Sequence, residues 1–178
     1  MIDLNDPEMK EIVEEFCDEC DDLLEQMRDS LDNFEDNPSE SKHLEEFGQT
    51  VDRIMGAAQT MGVSDIGQLC KMGKIIGYKA SQSDKVALQE IAAGVLFDLC
   101  DFLEVLLVNI REGKENTELN YETFQDRLQW LADKFKDIER ASCAIDSNED
   151  GAGASQTPKN SKTTAELQKL ISQFGKAS

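Results

Sequence analysis

The sequence predicts an all-α protein: an up-and-down helical bundle of four to five helices, then a flexible linker and a short C-terminal helix. Apolar residues recur every three or four positions over long stretches, which is the period of an amphipathic helix. No stretch shows the alternation with period two that marks a half-buried strand. The 178 residues suffice for one domain with a substantial core. We therefore expect a bundle over residues 1–141, a linker over 142–161 and a docking helix over 162–178.

The first helix is predicted to open at Asp6-Pro7-Glu8. An acidic cap, a proline in the first turn and further acids suit the positive end of the helix dipole. Apolar residues then follow at helical spacing from Met9 to Phe34. The segment from Asn33 to Ser41 is expected to break the helix, with Asn37-Pro38 as the turn.

The second helix is predicted over Leu44–Gly62, with Gly62 as a left-handed terminator. One of its faces carries an apolar stripe formed by Leu44, Phe47, Val51, Ile54, Ala58 and Met61. Another face carries Gln49, Asp52, Gly56 and Gln59. A glycine in mid-helix costs about 1 kcal/mol relative to alanine. We therefore expect a packing or an access reason for Gly56.

Three further helices complete the predicted bundle. Ser64-Asp65 is expected to cap the third, in which Gly67, Gly73 and Gly77 indicate either close helix–helix approach or a deformable segment. The fourth, from about Lys85 to Arg111, is the most apolar, so it is expected to be central or to supply a homodimer surface. The fifth is predicted from Tyr121 to about Arg140.

Residues 147–158 are small and polar, which is typical of a flexible linker. After them, Thr163–Gly175 has the pattern of a short amphipathic helix with a threonine cap and an apolar stripe. The stripe consists of Leu167, Leu170, Ile171 and Phe174. Isolated helices of this length are marginal in water, so the stripe predicts docking into a groove. The groove belongs either to the bundle itself, which is acidic where the tail is basic, or to a partner.

The net charge of −19 argues against binding to a nucleic-acid backbone or to an anionic membrane. No segment approaches 18 uninterrupted apolar residues, and the N-terminal Met1-Ile2-Asp3-Leu4 lacks the pattern of a signal peptide. We therefore expect a cytoplasmic protein that binds neither nucleic acid nor membrane.

Five cysteines without a secretory signal argue against a disulfide framework. Cys17 and Cys20 have the spacing of a redox or metal pair, but both fall on the apolar stripe of the first helix. Core packing is the favoured interpretation, and a metal or redox role is the alternative. His43, the only histidine, is expected to be a solvated or capping residue without chemistry.

The second helix resembles that of histidine phosphotransfer (HPt) domains, especially those of CheA-type chemotaxis kinases. The family pattern, roughly F-R-A-A-H-T-L-K-G-S-A, has its phosphorylated histidine four residues before a glycine. With Gly56 as that glycine, Asp52 falls at the histidine position and Met55 at the lysine position. The first helix, from Glu11 to Leu31, is also similar to that of the family. The resemblance implies an HPt-like bundle that lacks the phosphoacceptor histidine.

The C-terminal stripe resembles short peptides that CheY-type receivers recognise, such as the C-terminus of CheZ-type phosphatases. Leu167, Leu170, Ile171, Phe174 and Gly175 are the corresponding residues. The resemblance implies that a CheY-like response regulator receiver is the partner. It also implies that the protein has no cofactor of its own, and that any Mg²⁺ would be carried by the receiver.

Two acid–amide sets are candidates for orienting water towards a receiver's aspartyl phosphate. Asp126 and Gln129 lie on one face of the fifth helix, similar to the CheZ context but one residue short of its spacing. Gln49, Asp52 and Gln59 lie on the face where HPt domains meet receivers. A CheZ-like phosphatase is therefore the leading hypothesis. A non-catalytic adaptor that binds a receiver or kinase is the alternative, and a purely structural bundle or oligomerisation module is the third.

Overall fold

The computed structural model describes residues 6–114, 122–136 and 160–173. Within these ranges the chain forms a short 3₁₀ helix, Pro7–Met9, and six α-helices, and no strand. The helices are α1 (Lys10–Asp36), α2 (Lys42–Met61), α3 (Ser64–Ser81), α4 (Val86–Arg111), α5 (Glu122–Lys134) and α6 (Asn160–Gln173). The predicted all-α fold class is confirmed.

The first four helices form an up-and-down bundle in which each packs against the next and α4 returns to α1. Asp6 begins the bundle as predicted, because its carboxylate accepts a hydrogen bond from the Glu8 N–H at 3.0 Å. Two arginines join α1 to α4. Arg28 donates to Asp101 at 2.9 Å, and Arg111 donates to Asp18 at 2.9 Å. These pairings fix the two helices as antiparallel neighbours.

The α2–α3 hairpin packs closely because glycines lie at the contact between its helices. A Cβ added at Gly77 would lie 3.0 Å from the Leu44 carbonyl oxygen, and one at Gly48 would lie 3.2 Å from the Tyr78 ring. Gly73 likewise leaves room for Leu99 of α4, whose Cδ1 would be 2.8 Å from an added Cβ. Close approach is therefore confirmed at Gly73 and Gly77.

Helix α5 packs against α4, and α6 packs against α5 and α3. The Phe102 and Phe124 rings meet with centroids 4.8 Å apart, and Arg127 forms an ion pair with Asp98. At the other end of α5, the buried ammonium of Lys79 donates to the Phe135 carbonyl at 3.3 Å. Among the described helices, none is both long enough and apolar enough to cross a membrane.

Several predicted helix ends were wrong. Ser64 lies inside α3, whose N-cap is Val63 and has no side-chain cap, because the chain turns directly from Gly62 into the helix. Thr163 lies inside α6, which begins at Asn160, so it is not the cap. Asn33 also remains helical, because α1 continues to Asp36. The predicted linker falls largely on residues 137–159, which lie outside the described residues.

Candidate functional site

The candidate site is the outer face of the α2–α3 hairpin, centred on Asp52. Antiparallel pairing places Gly48 against Tyr78 and Asp52 against Lys74. Gly56 and Gln59 therefore lie opposite the N-terminal half of α3. We call this surface, formed by Gln49, Asp52, Gly56, Gln59, Lys71 and Lys74, the hairpin face.

Asp52 is held by an ion pair with Lys74, whose ammonium donates to its carboxylate at 2.6 Å. The Lys74 side chain is only 12% exposed and that of Asp52 is 34% exposed. Water therefore screens this pair less than it screens the exposed pairs between α1 and α4. The pair fixes the position of the carboxylate and places a cation directly beside it.

The part of the hairpin face that α2 contributes around Asp52 is accessible. Gln49 and Gln59 are exposed, and a Cβ added at Gly56 would meet no atom within 4 Å. Of the two reasons expected for Gly56, packing is therefore excluded, and access to the helix surface is left. Gln49 lies one turn from Asp52, whereas Gln59 lies about 10 Å further along the axis.

The second acid–amide pair lies on α5, where Asp126 is exposed and Gln129 is half-buried. One turn after Gln129, Asp133 accepts a hydrogen bond from Gln168 of α6 at 3.5 Å. The α5 pair therefore lies on a helix that packs against α6, and α6 also packs against α3. The two candidate sets lie on different helices, α2 and α5.

Helix α6 docks on its own bundle. Leu167 and Ile171 are buried in the common core, and Leu170 is half-buried against it. Glu166 forms an ion pair with Lys71 of α3. Of the two grooves predicted for the tail, the structure shows the intramolecular one, on α3 and α5. Phe174 and Gly175 lie outside the described residues.

The cysteines are packed into the core. Cys17, Cys20, Cys70 and Cys100 are free and fully buried, whereas Cys143 lies outside the described residues. Burial raises the pKa of each of the four thiols, and for Cys20 and Cys100 to about 12. Among the described residues, no group of three or more His, Cys, Asp or Glu side chains is arranged to hold a metal. The four thiols are therefore core residues and poor nucleophiles.

His43 is neither solvated nor a cap. Its imidazole lies between two carboxylates, 2.8 Å from Glu46 and 3.3 Å from Glu40, and its side chain is only 15% exposed. The expectation of a solvated or capping histidine was therefore wrong. It failed because the turn before α2 brings Glu40 back over the first turn of the helix.

A comparison with protein families assigns the region that contains the hairpin face. Residues 11–74 match the Hpt domain family. This part of the chain is therefore similar to HPt helical domains, a family that acts in two-component signalling and interacts with receiver domains of response regulators. The match covers α1, α2 and α3 as far as Lys74. No solved structure matches the chain.

The sequence did not single out the two α3 lysines. Lys71 and Lys74 lie one turn apart, and each meets a carboxylate from a different helix. A signal was present, because they are the only charged residues of α3 between Asp65 and Lys79. Identifying their partners, however, required the packing of α2 and α6 around α3.

Proposed function

We propose that the protein binds a CheY-like receiver through the hairpin face without accepting its phosphoryl group. The observation that carries this is the Asp52–Lys74 ion pair, four residues before the open Gly56. In the family pattern, that position holds the imidazole that carries phosphate. Asp52 lacks the imidazole nitrogen that takes up the phosphoryl group in the family, and its carboxylate is held in an ion pair with Lys74. The HPt-like surface is kept while the transfer group is replaced.

Charge supports the choice of this surface. Helices α2 and α3 together contain five basic and four acidic residues, whereas α1 contains two basic and twelve acidic residues. A receiver that binds Mg²⁺ does so with carboxylates, so its phosphorylation site presents negative charge. Such a site would be repelled by α1 and tolerated by the hairpin face.

The binding test uses a substitution that blocks the face without disturbing the fold. Gly56→Arg introduces a large side chain where the added Cβ meets nothing, and it should raise helix stability by about 0.5–1 kcal/mol. We expect it to weaken binding of a purified CheY-type receiver at least tenfold by calorimetry. Asn33→Arg, which adds the same charge on the exposed side of α1, is the matched control. Equal affinity for both variants would reject the hairpin face.

Phosphate transfer is tested separately. After incubation with a phosphorylated receiver or a CheA-type kinase, we expect no phosphate on this protein. His43 is the alternative acceptor, and its ring is enclosed by Glu40 and Glu46. If phosphate were found on the wild type but not on the His43→Ala variant, the protein would be a phosphotransferase and this proposal would be wrong.

A second candidate function is the CheZ-like promotion of receiver dephosphorylation. It is favoured by the exposed amide of Gln49, one turn from Asp52, on the surface where the receiver would bind. The experiment follows the decay of receiver phosphate with and without the protein. Faster decay that is lost in Gln49→Ala or Gln59→Ala would support catalysis on α2, whereas loss in Gln129→Ala or Asp126→Ala would support α5. If the receiver binds but its phosphate decays at an unchanged rate, the protein is a non-catalytic adaptor.

In the CheZ-like hypothesis, the C-terminal helix also binds the receiver and holds it near the bundle. The contacts would be made by Leu167, Leu170, Ile171 and Phe174. The first three of these contact the core of their own bundle. Tethering would therefore require α6 to leave the groove on α3 and α5 first. A peptide of residues 160–178 that binds the receiver at micromolar concentration would support the tether, and absence of binding would remove it.

A further inference from the structure

Helix α6 is held against α3 by the same row of lysines that holds Asp52. Lys74 pairs with Asp52 of α2, and Lys71, one turn earlier, pairs with Glu166 of α6. Residues three apart on a helix have Cβ atoms about 5–6 Å apart. Glu166 is therefore linked to Asp52, the centre of the hairpin face, by two ion pairs and one helical turn of α3.

A typical protein interface centred on Asp52 is large enough to reach α6. A specific interface covers about 800 Å² on each partner, which corresponds to a disc with a radius of roughly 16 Å. An interface of this size centred on Asp52 would extend along α3 beyond Lys74 to Lys71, and so to the Glu166 carboxylate that pairs with Lys71. A receiver on the hairpin face must therefore either incorporate α6 into the interface or displace it.

We propose that α6 is an intramolecular cover that competes with the receiver for the Lys71 side of the hairpin face. This inference rests on the proposed function, because it assumes that a receiver binds there. When α6 is docked, the Glu166 carboxylate neutralises Lys71, which would otherwise attract an acidic partner. When α6 is released, Lys71 becomes available.

The docking is suited to reversal. Helix α6 has only 14 residues, and a helix of that length is marginal in water without tertiary contacts. Its described core contacts come from one face, where Leu167 and Ile171 are buried and Leu170 is half-buried. Because residues 137–159 keep α6 covalently attached, a released helix remains able to dock again.

The affinity test compares full-length variants for binding to a purified CheY-type receiver, with and without beryllofluoride. Ile171→Asp removes a core contact of α6 and is expected to raise affinity at least fivefold. Glu166→Gln removes only the ion pair with Lys71 and is expected to raise it about twofold. Ser172→Lys makes the same change in net charge as Glu166→Gln, but at an exposed position of α6, so it should leave affinity unchanged.

Hydrogen exchange provides the second readout. Amides of residues 160–173 should lose protection when the receiver binds to the wild type, because the helix is displaced. Increased protection, together with weaker binding by Ile171→Asp, would make α6 part of the interface and overturn the cover. Equal affinity in all variants would also overturn it, while leaving the proposed function intact. If even Ile171→Asp bound no receiver, both proposals would fail.

Discussion

Helix α1 and the α2–α3 hairpin supply the same kind of apolar stripe to one core, but they present opposite surfaces to solvent. The acids of α1 outnumber its basic residues twelve to two, whereas the hairpin is nearly balanced. Arg28 of α1 forms ion pairs with the exposed carboxylates of Asp101 and Glu104 on α4. Lys74 of the hairpin instead forms a half-buried ion pair with Asp52. The negative charge of the protein is therefore concentrated on α1, and the hairpin is a nearly neutral exception.

The largest change in stability should come from a substitution that fills the space between α2 and α3. Gly77→Ala would place a methyl group 3.0 Å from a backbone oxygen, so we expect a loss of about 2–3 kcal/mol in unfolding free energy. Gly67→Ala on the same helix meets nothing within 4 Å and should gain about 0.5–1 kcal/mol. Urea denaturation measures both. Similar values for the two variants would show that the hairpin is not tightly packed there.

The core beneath both surfaces should become less stable in alkali. Cysteine thiols in the unfolded chain have a pKa near 9.0, whereas burial raises the pKa of Cys20 and Cys100 in the folded protein to about 12. A raised folded pKa means that stability is complete below pH 9 and declines as the pH rises towards 12. Each of the two thiols should lower the free energy of unfolding by roughly 1 kcal/mol at pH 10 relative to pH 8. Denaturation of wild type and Cys100→Ala at pH 8 and pH 10 checks this, since the variant should lose less stability.

The two kinds of ion pair should differ in coupling energy. A double-mutant cycle on Asp52→Ala and Lys74→Ala is expected to give about 1–2 kcal/mol, because Lys74 is shielded from water. The same cycle on Arg28→Ala and Asp101→Ala should give less than about 0.5 kcal/mol, since Asp101 is 68% exposed. A reversed order would mean that the pair at Asp52 is not the ordered feature of the site.

The smallest effect should follow a charge reversal on α1. Asp22→Lys lies on the exposed side of α1, outside the hairpin face, so receiver affinity should change less than about twofold at physiological salt. Arg53→Glu, beside Asp52 on α2, should weaken binding by roughly fivefold. If Asp22→Lys changed receiver affinity more than Arg53→Glu did, the receiver would bind to α1 rather than to the hairpin face.

Much of the fold could be predicted from local pattern. The stripe of α2, the left-handed Gly62 and the bounds of α4 agree with the structure, because periodicity and glycine conformation are properties of neighbouring residues. The predicted caps at Ser64 and Thr163 failed for a related reason. A polar residue before an apolar run is a probable cap, but the backbone path from the preceding element decides where the helix begins.

The candidate site divides in the same way. The positions of Gln49, Asp52, Gly56 and Gln59 on one face of α2 follow from helical spacing. That Asp52 is paired with Lys74, and that Gly56 faces open space, depends on how α3 packs against α2. The roles of Asp126 and Gln129, and a homodimer through α4, remain predictions.

The sequence by itself determined an all-α bundle, the apolar face of each helix and the buried positions of Cys17, Cys20, Cys70 and Cys100. These follow from residue type and spacing along the chain. Tertiary structure alone decided which partners Lys71 and Lys74 take and which groove receives α6. The physical reason is that ion pairs and docked helices join residues 22 and 95 positions apart, and only the packing of the bundle brings such residues together.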